Sequence, residues 1–130
     1  MNSTELWSEL YRPTSVEDVI LPAAVKKIAN GIIARGNMPH LLLTGSAGLG
    51  KTTLARVLSS ELGMEIMFIN GSKDRNIDVL RHKLTQFAST LSMSGHCNQK
   101  CIILDEADGL NPTSTQEALR GFMEEFASTC

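Results

Sequence analysis

Cysteine is scarce in this 130-residue chain, and its three copies are an odd number, so the sequence offers no disulfide framework. A zinc site is not expected either, because His96, Cys97 and Cys101 lack a fourth ligand and Cys101 belongs to an apolar run. Long apolar runs are also missing. No stretch approaches the roughly 18 residues that cross a bilayer, and Met1-Asn2-Ser3-Thr4-Glu5 has neither the basic start nor the apolar centre of a signal peptide. A cytoplasmic location is the expectation. Charge of one sign is lacking too: 12 Lys and Arg stand against 14 Asp and Glu, a net charge of -2, so any contact with nucleic acid has to come from a local patch. There is no internal repeat and no low-complexity tract. A hydrophobic content of 42% is enough for the core of one small globular domain.

What is present centres on Gly45-Ser46-Ala47-Gly48-Leu49-Gly50-Lys51-Thr52-Thr53, which fits the pattern G-x-x-x-x-G-K-[ST]. Glycines at these positions let the backbone fold back so that several N–H groups point inward, and the helix they open adds the positive end of its dipole. Lys51 then reaches the β- and γ-phosphates of a nucleotide, and the Thr52 hydroxyl goes to Mg²⁺. The flanks agree. His40-Leu41-Leu42-Leu43-Thr44 reads as a buried strand, and Leu54, Ala55, Leu58 and Leu62 recur at helical spacing.

Residues 6–22 carry Trp7, Tyr11 and Pro13 before any strong periodicity, so they read as a loop-like arm with one helical turn at the Thr14/Glu17 capping-box spacing. Ala24, Val25, Ile28, Ala29, Ile32 and Ile33 mark an amphipathic helix stopped by Gly36 and Pro39. A second strand is expected over 65–70, ending at Gly71-Ser72. A helix follows on Ile77, Leu80, Leu84, Phe87 and Leu91, then a polar loop, then a third strand over 101–104. Asn111-Pro112 has the form of an N-cap with proline at the first helical position, and Ala118, Leu119, Phe122, Met123 and Phe126 give that last helix its apolar face. Alternation of this kind argues for an α/β fold with a parallel sheet covered by helices on both faces.

The third strand ends in Asp105-Glu106-Ala107-Asp108. In a parallel sheet its tip lies at the same edge as the phosphate loop, where such folds bind ligands. A carboxylate there is costly unless paired, and a Mg²⁺ shared with Thr52 pairs it, which makes Asp105 the metal-side acid. Glu106, facing the other way, is placed to orient or deprotonate a water that attacks the γ-phosphate. Asp108 fits better as part of a solvated acidic turn that caps the next helix.

These motifs resemble those of the AAA+ ATPases. Leu10-Tyr11-Arg12-Pro13, Pro39-His40-Leu41-Leu42-Leu43, residues 70–81, the Asp-Glu-Ala-Asp box and residues 116–124 together resemble a sliding-clamp loader ATPase subunit, most like the large subunit of tailed-bacteriophage clamp loaders, with replication factor C small subunits close behind. The resemblance implies a P-loop NTPase three-layer sandwich, binding of ATP and Mg²⁺, and ATP hydrolysis coupled to placing a clamp on primer-template DNA during replication. It implies partners: other clamp loader subunits, one supplying an arginine in trans, the sliding clamp and the DNA.

Carried over residue by residue, the resemblance places Ser8, Glu9, Leu10, Tyr11 and Arg12 around the adenine, with Val19 and Ile20 giving apolar contact, although Tyr11 reads equally as an aromatic at the edge of the core. Gly45, Gly48, Leu49, Gly50, Lys51, Thr52 and Thr53 hold the phosphates, Thr52 and Asp105 the metal, and Lys51 and Glu106 act in catalysis. Lys73, Arg75, Arg81 and Lys83 face template phosphates, interleaved with Asp74 and Asp78, although a solvated helix face reads the same way. The loop at Leu91, Ser92, Met93 and Ser94 corresponds to the clamp-touching region, although its apolar residues read equally as closing the core. Cellular members usually carry two prolines where Ser46 and Ala47 stand and a glycine where Asn76 stands. On this resemblance, residues 1–22 form an adenine-side arm and 23–130 an incomplete α/β core. A sensor strand, an arginine finger, a helical lid and an oligomerising collar are expected beyond Cys130, the sheet being cut before the sensor strand. A DEAD-box helicase shares the four letters of the acidic box, but the interval from Lys51 to Asp105 is short and no adenine-reading glutamine motif precedes the phosphate loop. A non-catalytic nucleotide-binding remnant is disfavoured by the joint presence of Lys51, Thr52, Asp105 and Glu106.

Overall fold

The structure is a computed structural model that describes residues 6–74, 76–90 and 99–130. The chain divides into two compact units, Met1–Leu62 and Gly63–Cys130.

The first unit holds a four-residue helix α1 (Trp7–Leu10), a 3-10 turn over Val16–Asp18, and helices α2 (Ala23–Arg35) and α3 (Lys51–Glu61). Its core is Val16, Val19, Ala29, Leu54, Val57 and Leu58, with Leu21, Ile33, Met38 and Leu43 packed around them. Burial of one such aliphatic side chain contributes about 1.5–3 kcal/mol. Gly36 ends α2 as the sequence implies: it turns left-handed at φ 69° and donates to Ile32 O and Ile33 O. The turn at 16–18 is not closed by the Thr14/Glu17 capping box. Ser15 precedes it, and the Glu17 carboxylate is taken by Lys26 Nζ at 3.2 Å and Asn30 Nδ2 at 3.1 Å. Those donors, Lys26 first, hold the Glu17 carboxyl below the usual carboxylate range. Val16 N donates to the Glu61 carboxylate at 3.2 Å, tying the turn to the end of α3.

The strand expected over 40–44 is not formed. Leu42 is 86% exposed, and no strand is assigned to those residues. The apolar run is real, but a strand exists only as a member of a hydrogen-bonded ladder, and among the described residues the sheet has two members.

Those two, β1 (Glu65–Asn70) and β2 (Lys100–Asp105), belong to the second unit with helices α4 (Ile77–Ser89) and α5 (Thr115–Glu125). They pair in parallel from Glu65 opposite Lys100 to Asn70 opposite Asp105. Parallel neighbours need a crossover, and α4 lies in it. Ile69, Leu80, Leu84 and Leu110 form the core, joined by Met67, Ile102, Leu104, Leu119 and Phe122. The alternation along β1 thus turns Met67 and Ile69 toward the helices. Asn76 starts α4, its Oδ1 accepting from Asp78 N at 2.9 Å and Val79 N at 3.4 Å. Asn111 behaves differently from the expectation: its Oδ1 accepts from Thr113 N and Oγ1 and from Ser114 N, so residues 112–114 form a turn and α5 begins only at Thr115.

Candidate functional site: a phosphate loop and an acidic strand tip

The phosphate loop belongs to the first unit. Gly45, Gly48 and Gly50 have φ of 145°, 76° and 82°, a backbone that L side chains rarely adopt, so the three glycines are there for conformation. Gly50 leads straight into α3 and its carbonyl accepts from Leu54 N at 2.8 Å. No side chain caps α3 at its start and no acidic residue lies in its first turn. A helix start of eleven residues without its own cap, preceded by a glycine turn, suits an anion. Lys51 Nζ turns back over the loop and donates to Gly45 O at 2.9 Å and Ser46 O at 2.6 Å. The ammonium is therefore held at the mouth of the loop by backbone carbonyls. Thr52 and Thr53 are half-buried behind it, and Leu49 is exposed at the rim.

The acidic box belongs to the second unit. Asp105 ends β2, and Glu106 follows with φ 51° and ψ 44°, the one non-glycine at positive φ among the described residues. Such a conformation costs on the order of 1–3 kcal/mol and persists only where the surroundings impose it. They do. Gly71 N donates to Asp105 O at 2.7 Å, and a Cβ on Gly71 would lie 2.6 Å from Glu106 O. Glu106 N is satisfied by Asp105 Oδ1 at 3.2 Å, and Glu106 O accepts from Gly109 N at 2.9 Å. On the other side of the turn a Cβ on Gly109 would meet Ser72 Oγ at 3.0 Å and Ser72 Cα at 3.1 Å. The turn after β1 and the turn after β2 are thus pressed together through two glycines, leaving the Glu106 side chain exposed. From the sequence Gly71 reads as the end of a strand and as part of the 70–81 box, not as a close contact. The available signal was a glycine directly after one strand of a pair whose other strand ends in acids.

The remaining expected residues are placed as follows. Ser8, Glu9 and Leu10 lie on α1, whose residues are all exposed; Tyr11 follows at 78% exposure and Arg12 pairs with Glu9 at 3.0 Å. Val19 is 5% exposed and lies in the first core, whereas Ile20 is 97% exposed. Lys73 and Arg81 are exposed, and Lys83 Nζ is held by Asp74 Oδ1 at 3.1 Å. Arg75 and the 91–94 segment lie outside the described residues.

With this geometry in hand, comparison with known proteins gives the class. The profile of the AAA family, the ATPase family associated with various cellular activities, matches residues 41–129. The chain belongs to that family and has its P-loop NTPase fold, parallel strands with helices. Among individual proteins it is similar to the sliding-clamp-loader large subunit of Escherichia phage RB69, 42% identical over 100% of this chain and 40% of that protein. It is 41% identical to the replication factor C small subunit of Methanoregula boonei over 98% of this chain and 41% of that protein. Of solved structures, the Thermotoga maritima RuvB Holliday junction branch migration motor aligns with a TM-score of 0.68 at 29% identity, over 89% of this chain and 37% of that one. The chain thus spans about 40% of the length of the curated relatives it matches. No helix among the described residues is long and apolar enough to cross a membrane.

Proposed function

We propose that this chain is the nucleotide-binding part of an ATP-hydrolysing sliding-clamp loader subunit that acts in DNA replication. The observation that carries the ATPase reading is the phosphate loop: positive-φ glycines, an uncapped start of α3 and Lys51 folded over the mouth. The narrower reading is supported by identities near 40% over the whole chain to proteins named as clamp loader or replication factor C subunits.

In this reading Gly45, Gly48, Leu49, Gly50 and Thr53 present backbone to the phosphates, and Lys51 balances the β- and γ-phosphate charge. Thr52 and Asp105 supply the oxygens that hold Mg²⁺, which when bound neutralises charge on the phosphates. Glu106 accepts a proton from the attacking water. The exposed arm of Ser8, Glu9, Leu10, Tyr11 and Arg12 contacts adenine, with Ile20 the outward member of the Val19 and Ile20 pair. Lys73, Arg75, Arg81 and Lys83 meet DNA phosphates, Lys83 after leaving Asp74. Residues 1–22 act as the arm and 23–130 as part of the α/β core. Partners are further loader subunits, one giving an arginine to the γ-phosphate, together with the clamp and primer-template DNA.

A second reading, an AAA motor that acts on DNA without a clamp, is favoured by the structural likeness to RuvB. Phosphate release by the full-length subunit in its assembly separates the two. Turnover raised by clamp and primer-template DNA together supports the loader; turnover raised by DNA and indifferent to clamp supports the motor; no turnover under either condition overturns both.

A further inference from the structure

Lys100 opens β2 and is 3% exposed, the one buried cation among the described residues. Its Nζ donates to Phe87 O at 2.6 Å, to Thr90 Oγ1 at 2.6 Å and, by a short contact, to Thr90 O. A lysine has three N–H donors, and all three are spent on the end of α4. The same Nζ lies 4.9 Å from the Phe87 ring centroid. The Glu65 carboxylate, opposite Lys100 in the strand register, reaches it only at 4.0 Å, and Glu65 Oε2 is buried without a hydrogen bond. The backbone of Lys100 is engaged as well, its N–H donating to Thr129 O at 2.8 Å.

Burying a charge costs free energy, and an apolar residue of similar volume fills such a place at no such cost. The lysine is explained by the geometry it fixes. Leu80 and Leu84 hold α4 against β1 by apolar contact, which is non-directional and tolerates sliding along the helix axis. Hydrogen bonds from Lys100 to Phe87 O in the last turn of α4 and to Thr90, the residue that follows the helix, do not tolerate it. Helix α4 runs about 20 Å, and β2 about the same. Lys100 therefore anchors one end of both, while at the other end α4 begins with Asn76 and β2 ends with Asp105.

We propose that Lys100 is a positioning residue that sets the axial register of α4 against β2, and so transmits nucleic acid contact at the start of α4 to the turn that carries Glu106. The inference rests on the clamp-loader reading above. The test is the ratio of ATP turnover with and without primer-template DNA, measured on the full-length subunit in its assembly. Lys100→Met is expected to lower that ratio about fivefold or more, the lower end of coupling between two sites, with ATP affinity and DNA-free turnover unchanged. Lys100→Arg, which can donate to the same carbonyls, is expected to keep it. Should the Met variant fail to assemble, Thr90→Val removes one acceptor by a smaller change and is expected to lower the ratio part of the way. A ratio unmoved in Lys100→Met, or in Thr90→Val where that variant replaces it, overturns the proposal; so does an equal loss in Lys100→Arg, which would mean packing and not hydrogen bonding. Wild-type turnover indifferent to DNA overturns the functional reading itself, and the proposal with it.

Discussion

Gly71 and Glu106 are so close that a Cβ on the first would stand 2.6 Å from the carbonyl oxygen of the second. Gly71 is not at positive φ, so space, not backbone conformation, demands glycine here. Gly71→Ala is expected to displace Glu106 O and stretch the 2.7 Å bond from Gly71 N to Asp105 O. Overpacking of this kind costs about 1–3 kcal/mol. Thermal melting should show the loss of stability, and on the proposed function turnover in the assembly should fall by more than the unfolded fraction explains, because the Glu106 carboxylate moves with its backbone. A variant with wild-type melting and turnover would show that the contact is not limiting.

Lys51 is the cation of the phosphate loop, and its present partners are the carbonyls of Gly45 and Ser46. On the proposed function, Lys51→Ala removes the charge that answers the most concentrated charge on the ligand. ATP affinity measured by calorimetry in the presence of Mg²⁺ should drop at least tenfold, about 1.4 kcal/mol. Equal affinities would remove the phosphate-loop reading.

Much of the first unit and the sheet was legible from residues alone, and the reasons are local. The phosphate loop needs glycine wherever φ is positive, so its conformation is written into Gly45, Gly48 and Gly50. The end of α2 at Gly36 and the span of β1 follow from equally local signals. Strand 40–44 was not legible, because whether Leu41 and Leu42 form a strand depends on a neighbour the run itself does not specify. The start of α5 was misplaced because the Asn111 carboxamide had more than one set of N–H groups within reach. Lys100 gave no signal, since it matters through residues distant in sequence, and the signal at Gly71 was only its place directly after a strand paired with one that ends in acids.

Asp105 and Glu106 are adjacent but differ in backbone, one closing a strand and the other left-handed at φ 51°. On the proposed function that difference suits their side chains to different work. Glu106→Gln should leave ATP binding intact and cut turnover, since an amide fills the space but accepts no proton. Asp105→Asn should weaken the Mg²⁺-dependent part of binding. Binding titrations with and without Mg²⁺, set beside single-turnover rates, read the two effects separately. Identical behaviour of the two variants would refute the division of roles.

Glu17 offers a pH test of the first unit. Its carboxyl lies below the ordinary value of 4.5 because Lys26 and Asn30 donate to it. The contribution to stability is present above that ordinary value and lost as pH falls through the lowered folded value. Glu17→Gln should therefore be somewhat less stable than wild type at neutral pH and lose less on acidification, the gap closing below about 4. Exposure keeps the effect small. Parallel melting curves across acid pH would show a constant gap if the carboxylate contributes nothing.

Lys73 and Arg81 are exposed around the start of α4, whereas Lys83 is engaged by Asp74 at 3.1 Å. If these cations meet DNA phosphates, their loss should weaken binding about equally across sequences, because phosphate contacts carry no base information. Each lost contact also releases one fewer counterion, so the slope of log affinity against log salt should shrink by about 0.9 per contact on duplex DNA. Lys73→Ala with Arg81→Ala is thus expected to flatten the slope by nearly two units. Asp74→Ala, which frees Lys83, should shift it the other way or leave it unchanged while raising affinity. Binding isotherms in rising salt on the full-length assembly decide the matter. A slope that the double variant leaves untouched would return this surface to an ordinary solvated helix face.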